Sequence, residues 1–171
     1  NYSFSGDSQN SIVLDFAPEH NRCLQLVSRR DDDDRDLPGS IQRLAPISNL
    51  GRIQQAPLNN WSPPAGIFGP EPEHTWCYYF EKADLARANG DWAEVARLGD
   101  EASAAHFYPR NQSEYLPFIE AYARLGRAQD AKKLTLETSH QMPVLAPALC
   151  AVWQRLEAES LSEADRIQAR Q

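Results

Sequence analysis

Residues 74–142 repeat themselves, and this constrains the chain more than any other feature. HTWCYYFEKADLARANGDWAEVARLGDEA and SEYLPFIEAYARLGRAQDAKKLTLET superpose with Gly90 on Gly126, an offset of 36 residues. At that offset Tyr79 meets Tyr115, Phe80 meets Leu116, Asp84 meets Glu120, Val95 meets Ala131 and Leu98 meets Leu134. Trp76, Tyr79, Phe80, Ala83 and Ala86 recur at helical spacing, with Glu81, Lys82 and Arg87 between them. Each first helix ends at a glycine, which closes a helix in the left-handed conformation at little cost. A short turn (Asp91-Trp92, Arg127-Ala128) then leads into a second helix. Ala83, Ala86 and Ala131 are small where paired helices must approach closely, and Thr75 and Ser113 are expected N-caps.

A repeat of about 34 residues built of two helices resembles the tetratricopeptide family. The match is partial: Trp92 has only Ala128 as its counterpart, and the closing proline is displaced to Pro109. The resemblance implies a groove lined by the first helices, which receives a protein or peptide partner. By position it would be lined by Cys77, Phe80, Asp84 and Arg87 in the first unit and by Leu116, Glu120 and Arg124 in the second. These mixed charges do not make a simple clamp for a carboxylate, which needs Lys and Arg together. The groove is short, and the N-terminal segment is itself a candidate to fill it. The competing reading of the same residues is an ordinary solvated face.

The chain has 171 residues, enough for one core, and carries 17 basic against 24 acidic side chains for a net charge of −7. An acidic surface repels phosphate backbones, which argues against nucleic acid. The longest mostly apolar run, Met142 to Trp153, is shorter than a bilayer span and contains Pro143 and Pro147. The start at Asn1, without Met, leads us to expect a cut-out piece of a longer protein or a processed product. Cys23, Cys77 and Cys150 form no closely spaced pair, so a zinc site is not expected. Two readings stay open for them: a disulfide, best placed between Cys23 and Cys77, or three small buried hydrophobes.

Ahead of the repeats, SIVLDFAP and RCLQLVS read as a β-hairpin, with Ile12, Leu14, Phe16, Cys23 and Leu24 competing for its covered face. Tyr2-Ser3-Phe4 is a candidate third strand. Asp31–Asp34 and Asp36 lack the alternation and the glycine of a calcium loop, so the expectation there is an exposed, mobile acidic loop. Residues 37–73 are proline-rich, and their apolar Leu58, Trp61, Ile67 and Phe68 predict a connector laid on the repeats. Val144, Leu145, Leu149, Val152, Trp153 and Leu156 give a last helix one apolar face, suited to capping the second repeat. The organisation expected is therefore 1–36 hairpin and acidic loop, 37–73 connector, 74–159 repeats with cap, and 160–171 polar tail. The fold class is mainly α, with TPR-like hairpins and a small N-terminal β-hairpin.

No motif for a nucleophile, a metal protease or a phosphate loop is present, so no catalytic residue, cofactor or metal is expected. One further constellation is an alternative site: Glu71, Glu73 and His74 beside Trp76 and Tyr79. Carboxylates next to a histidine suit acid–base or cation chemistry. Acidic residues ahead of a helix also simply complement its positive N-terminal end, which is the stronger reading of the two.

Beyond the repeats, FSGDSQNSIVLDFAPEHNRCLQLV, ISNLGRI and FGPEPEHTWCYYFEKADLARANGDW resemble the soluble C-terminal tail of multi-spanning bacterial membrane proteins. The membrane part of those proteins looks like that of glycosyltransferases using lipid-linked sugars. The resemblance implies a tethered, extracytoplasmic domain of a membrane-embedded parent, with any transferase residues outside this chain; the alternative placement is cytoplasmic. The expected function is a non-catalytic interaction or structural module. The rival expectation is an accessory domain that contacts acceptor or sugar through the aromatic and acidic region Trp61–Tyr79.

Overall fold

Gly90 and Gly126 both adopt positive φ, 74° and 75°, and each closes a helix with the same pair of bonds. Gly90 N–H donates to the Arg87 carbonyl and Asp91 N–H to that of Ala86; Gly126 N–H donates to Ala123 and Arg127 N–H to Tyr122. This double closure consumes carbonyls that a helix end otherwise leaves unpaired. It turns the chain sharply enough for a second helix to fold back, and it does so twice. The computed structural model describes residues 11–53, 64–70 and 73–168, with side chains through residue 160. It is mainly helical, with one small antiparallel sheet.

The first hairpin is α3 (Trp76–Ala88) and α4 (Trp92–Ala104), and the second is α5 (Leu116–Arg124) and α6 (Ala128–Gln141). Before them lie β1 (Val13–Asp15), β2 (Gln25–Val27), α1 (Gly39–Leu44) and α2 (Ala65–Phe68); α7 (Ala146–Gln168) follows. Asp91 caps α4 by accepting from Glu94 N–H. Thr75 sits at the N-cap of α3 without a side-chain bond. Ser113 does not cap; Asn111 does, accepting from Ser113 N–H ahead of a single 3-10 turn that runs into α5.

One core joins the two hairpins, with Phe80, Ala83, Val95 and Leu98 packed against Phe118, Ala121 and Ala131. The repeat is visible in burial: Val95 and Ala131 are both fully buried, as are Asp84 and Glu120. Gly99 marks the tightest approach, since a Cβ there would meet the Phe118 ring at 2.6 Å and the Tyr122 oxygen at 2.7 Å. A second cluster forms where Leu145, Leu149 and Val152 cover Leu116 and Ile119, so α7 lies over the second hairpin. Pro147 falls in its first turn, where a missing N–H costs nothing.

Strands β1 and β2 pair antiparallel with Val13 opposite Val27 and Asp15 opposite Gln25. The covered face is Val13, Asp15 and Ala17; of the residues expected to be covered, Cys23 is buried and Leu24 half-buried, while Ile12, Leu14 and Phe16 are exposed, Phe16 at 63%. The cause is polar. Asp15 is buried against buried Arg22 at 3.3 Å, and alternation along a strand then turns Leu14 and Phe16 outward. The aspartate run also differs from expectation. Asp31 and Asp34 are 3% and 1% exposed, Asp31 pairing with Arg87 at 2.9 Å and Asp34 accepting from Asp36 N–H. Ile67 and Phe68 are exposed, Phe68 at 70%, on a single self-contained turn between Pro64 and Gly69. Tyr2-Ser3-Phe4, Leu58 and Trp61 lie outside the described residues.

Candidate functional site

The first helices, α3 and α5, present a face that is already covered. Residues 22–31 run alongside α3 in the same direction, held step by step. Cys23 is bonded to Cys77 through a disulfide. Leu24 N–H donates to Glu81 Oε1 at 3.1 Å and Leu26 N–H to Asp84 Oδ2 at 2.6 Å. Asp31 then meets Arg87. From the start of the second unit, Glu114 accepts from Cys23 N–H at 2.7 Å and from Trp76 Nε1 at 2.5 Å. Carboxylates thus take the backbone donors that an edge strand would leave open.

The groove residues expected from position come together here, yet beneath the chain's own segment. Phe80 and Leu116 are core residues, and Cys77 is consumed by the disulfide. Asp84, Arg87 and Glu120 are buried, while Arg124 is half-buried. Arg87 is shared between Asp84 at 2.8 Å and Asp31. Glu120 receives Arg124 at 2.8 Å, Arg155 of α7 at 3.3 Å and Arg30 at 3.5 Å. Arg30 and Arg124 both lie over the Trp92 ring. Glu159 closes the set on Arg124. Four acids face four arginines, which is how buried charge is tolerated.

Burial shifts the acids of this face. It raises Asp84 to about 6, assisted by Asp31 and opposed by Arg87 and the Leu26 N–H. It raises Glu114 to about 7 against the bonds from Cys23 and Trp76. Arg87 would be lowered by burial, but Asp31 and Asp84 together raise it, so it stays charged.

The alternative cluster does not converge. Glu73 and His74 are exposed, His74 stacks on Tyr78 at 3.5 Å, and Glu71 lies outside the described residues. Trp76 points inward to Glu114, and Tyr79 is half-buried near Phe107. Among the described residues, no three His, Cys, Asp or Glu side chains are grouped to hold a metal.

An open slot lies on the other side. A slot of about 310 Å³ lies between α4 and α6, floored by Trp76, Tyr115, Phe118 and Tyr122. Gly99 lets the Phe118 ring and the Tyr122 oxygen come up against α4, and exposed Ser103 stands beside them on the slot wall. His106, at φ 61°, ends α4 in the left-handed conformation, with Phe107 N–H returning to the Ala102 carbonyl. Phe107 and Tyr108 thereby join the slot. At one end Arg127 lies 4.2 Å over the Tyr122 ring, bonded to Asp100 at 2.7 and 3.0 Å and to Asp130 at 2.7 Å. Sequence reasoning missed this slot. Its signal was Tyr115, Phe118 and Tyr122, one helical face with an aromatic at nearly every turn, opposite Gly99.

No helix among the described residues is long and apolar enough to cross a membrane. No family model matches the chain, and neither a curated protein nor a solved structure matches it significantly.

Proposed function

We propose that this chain is a tetratricopeptide-like module, non-catalytic, whose peptide groove is filled in cis by residues 22–31. In this reading it serves as the extracytoplasmic, soluble tail of a bacterial membrane protein, holding or recruiting a protein partner. One observation carries the reading: a segment of the chain, strand at Gln25–Val27 and a 3-10 turn at Arg29–Asp31, lies along the first helices where a peptide ligand would lie, its donors caught by Glu81, Asp84 and Glu114. The Cys23–Cys77 bond pins that segment to the groove helix and supports an oxidising compartment, where such bonds persist. The test is alkylation of the protein taken from cells without reductant. Labelling at Cys150 alone, in a membrane fraction open to external protease, is the expected result. Labelling of all three cysteines in a soluble fraction would overturn the placement.

A second reading, an accessory domain touching acceptor or sugar, is supported by the aromatic slot rather than by Glu73 and His74. Titration with a methyl glycoside, followed by tryptophan fluorescence, tests it; no saturable change would remove it.

A further inference from the structure

The slot already contains one cation-recognition unit made from the protein's own residues. Arg127 sits on an aromatic face and is clasped by two carboxylates, Asp100 and Asp130. A guanidinium over a ring with acids at its edge is a favourable, geometrically selective arrangement. The opposite end repeats the ingredients without a resident guanidinium. There Tyr115 and Tyr108 offer two rings and Glu137 a carboxylate. Trp76 meets Tyr115 edge to face at 5.4 Å and fixes its plane. Burial, then Glu137 and Tyr108, push the Tyr115 phenol up to about 12, so it remains a neutral donor beside the carboxylate. Glu137 has Lys133 at 3.9 Å, both side chains exposed, a loose pair of little strength.

We infer that the Tyr115 end of this slot, where Glu137 adjoins two phenol rings, receives an arginine or lysine side chain from a basic partner segment. The inference rests on the reading of the chain as an interaction module, and it gives the partner a chemistry. The net charge of −7 favours the same partner at long range. The volume of about 310 Å³ suits one side chain rather than a helix.

The test is titration of a capped tri-arginine peptide into the oxidised full chain, read by the Tyr115 and Trp76 ring resonances. A saturable shift of those rings is expected, absent with the neutral tri-citrulline peptide. Glu137→Gln, at an exposed position, should weaken binding roughly fivefold. Glu157→Gln, which removes the same charge from α7, should leave it unchanged. Equal loss in both variants would reduce the effect to general attraction, and equal binding of tri-citrulline would remove the charge requirement. A ring shift with methyl glucoside but none with tri-arginine would assign the slot to saccharide. Each of these overturns the inference while leaving the thiol test of the filled groove untouched.

Discussion

The two long faces of the paired hairpins are built from the same repeat and end in opposite states. On the side of α3 and α5, charge is buried, balanced and covered by residues 22–31. On the side of α4 and α6, charge rims an open aromatic slot. The difference comes from small residues. Asp84 and Glu120 occupy equivalent positions, and each captures an arginine plus a piece of the N-terminal segment. Gly99 instead admits the Phe118 and Tyr122 rings against α4, so that side is faced with aromatics rather than with buried charge. A repeat therefore specifies a frame, and a handful of substitutions decides which face is covered internally and which stays open.

That contrast can be broken deliberately. Removing the disulfide with Cys23→Ser and Cys77→Ser frees a loop of 54 residues and should cost about 4 kcal/mol in urea unfolding. Arg87→Met takes the guanidinium from Asp31 and Asp84, which keep only hydrogen bonds from Ser28 and Leu26, and should cost about 3–5 kcal/mol. A loss under about 1 kcal/mol would show that the covered face is not held by its charges. Gly99→Ala drives a methyl into Phe118 and Tyr122; a loss of about 1–3 kcal/mol is expected by thermal denaturation.

The next expected effect is a pH profile. Glu114 and Asp84 have folded values of about 7 and 6, above their ordinary ones of about 4. Their contribution is present below the ordinary values and is lost as pH rises through 6 and 7. The melting temperature should therefore rise on going from pH 8 to pH 5, and Glu114→Gln should flatten the change. Smallest of all is Asp130→Asn at the slot rim, where an exposed pair is worth under about 1 kcal/mol.

How much of this was legible in the sequence follows from how far apart the interacting residues lie. Gly90 and Gly126 act on carbonyls a few residues away, so the helical hairpins could be read directly. The last helix could be read for the same reason, its apolar face being periodic. Asp31 could not be read as buried, because its partner Arg87 is 56 residues distant. The covered face of the first strand was reversed because Asp15 and Arg22 neutralise each other, and apolar counting assigns charged residues to solvent. Among the residues expected to line a groove, Cys77, Asp84, Arg87 and Glu120 were placed on one face by the repeat. That the face is covered depended on a segment with no helical period of its own. The slot escaped notice because its most informative residue, Gly99, contributes by having no side chain.

The Cys23–Cys77 bond also has a mechanical meaning. It closes residues 23–77 into a covalent ring, so tension applied ahead of Cys23 passes straight into α3. The intervening chain, about 190 Å if fully drawn out, carries no load. In a pulling experiment the oxidised protein should extend by that much less than the reduced one. A protease cut anywhere inside the ring leaves both pieces joined through Cys23 and Cys77.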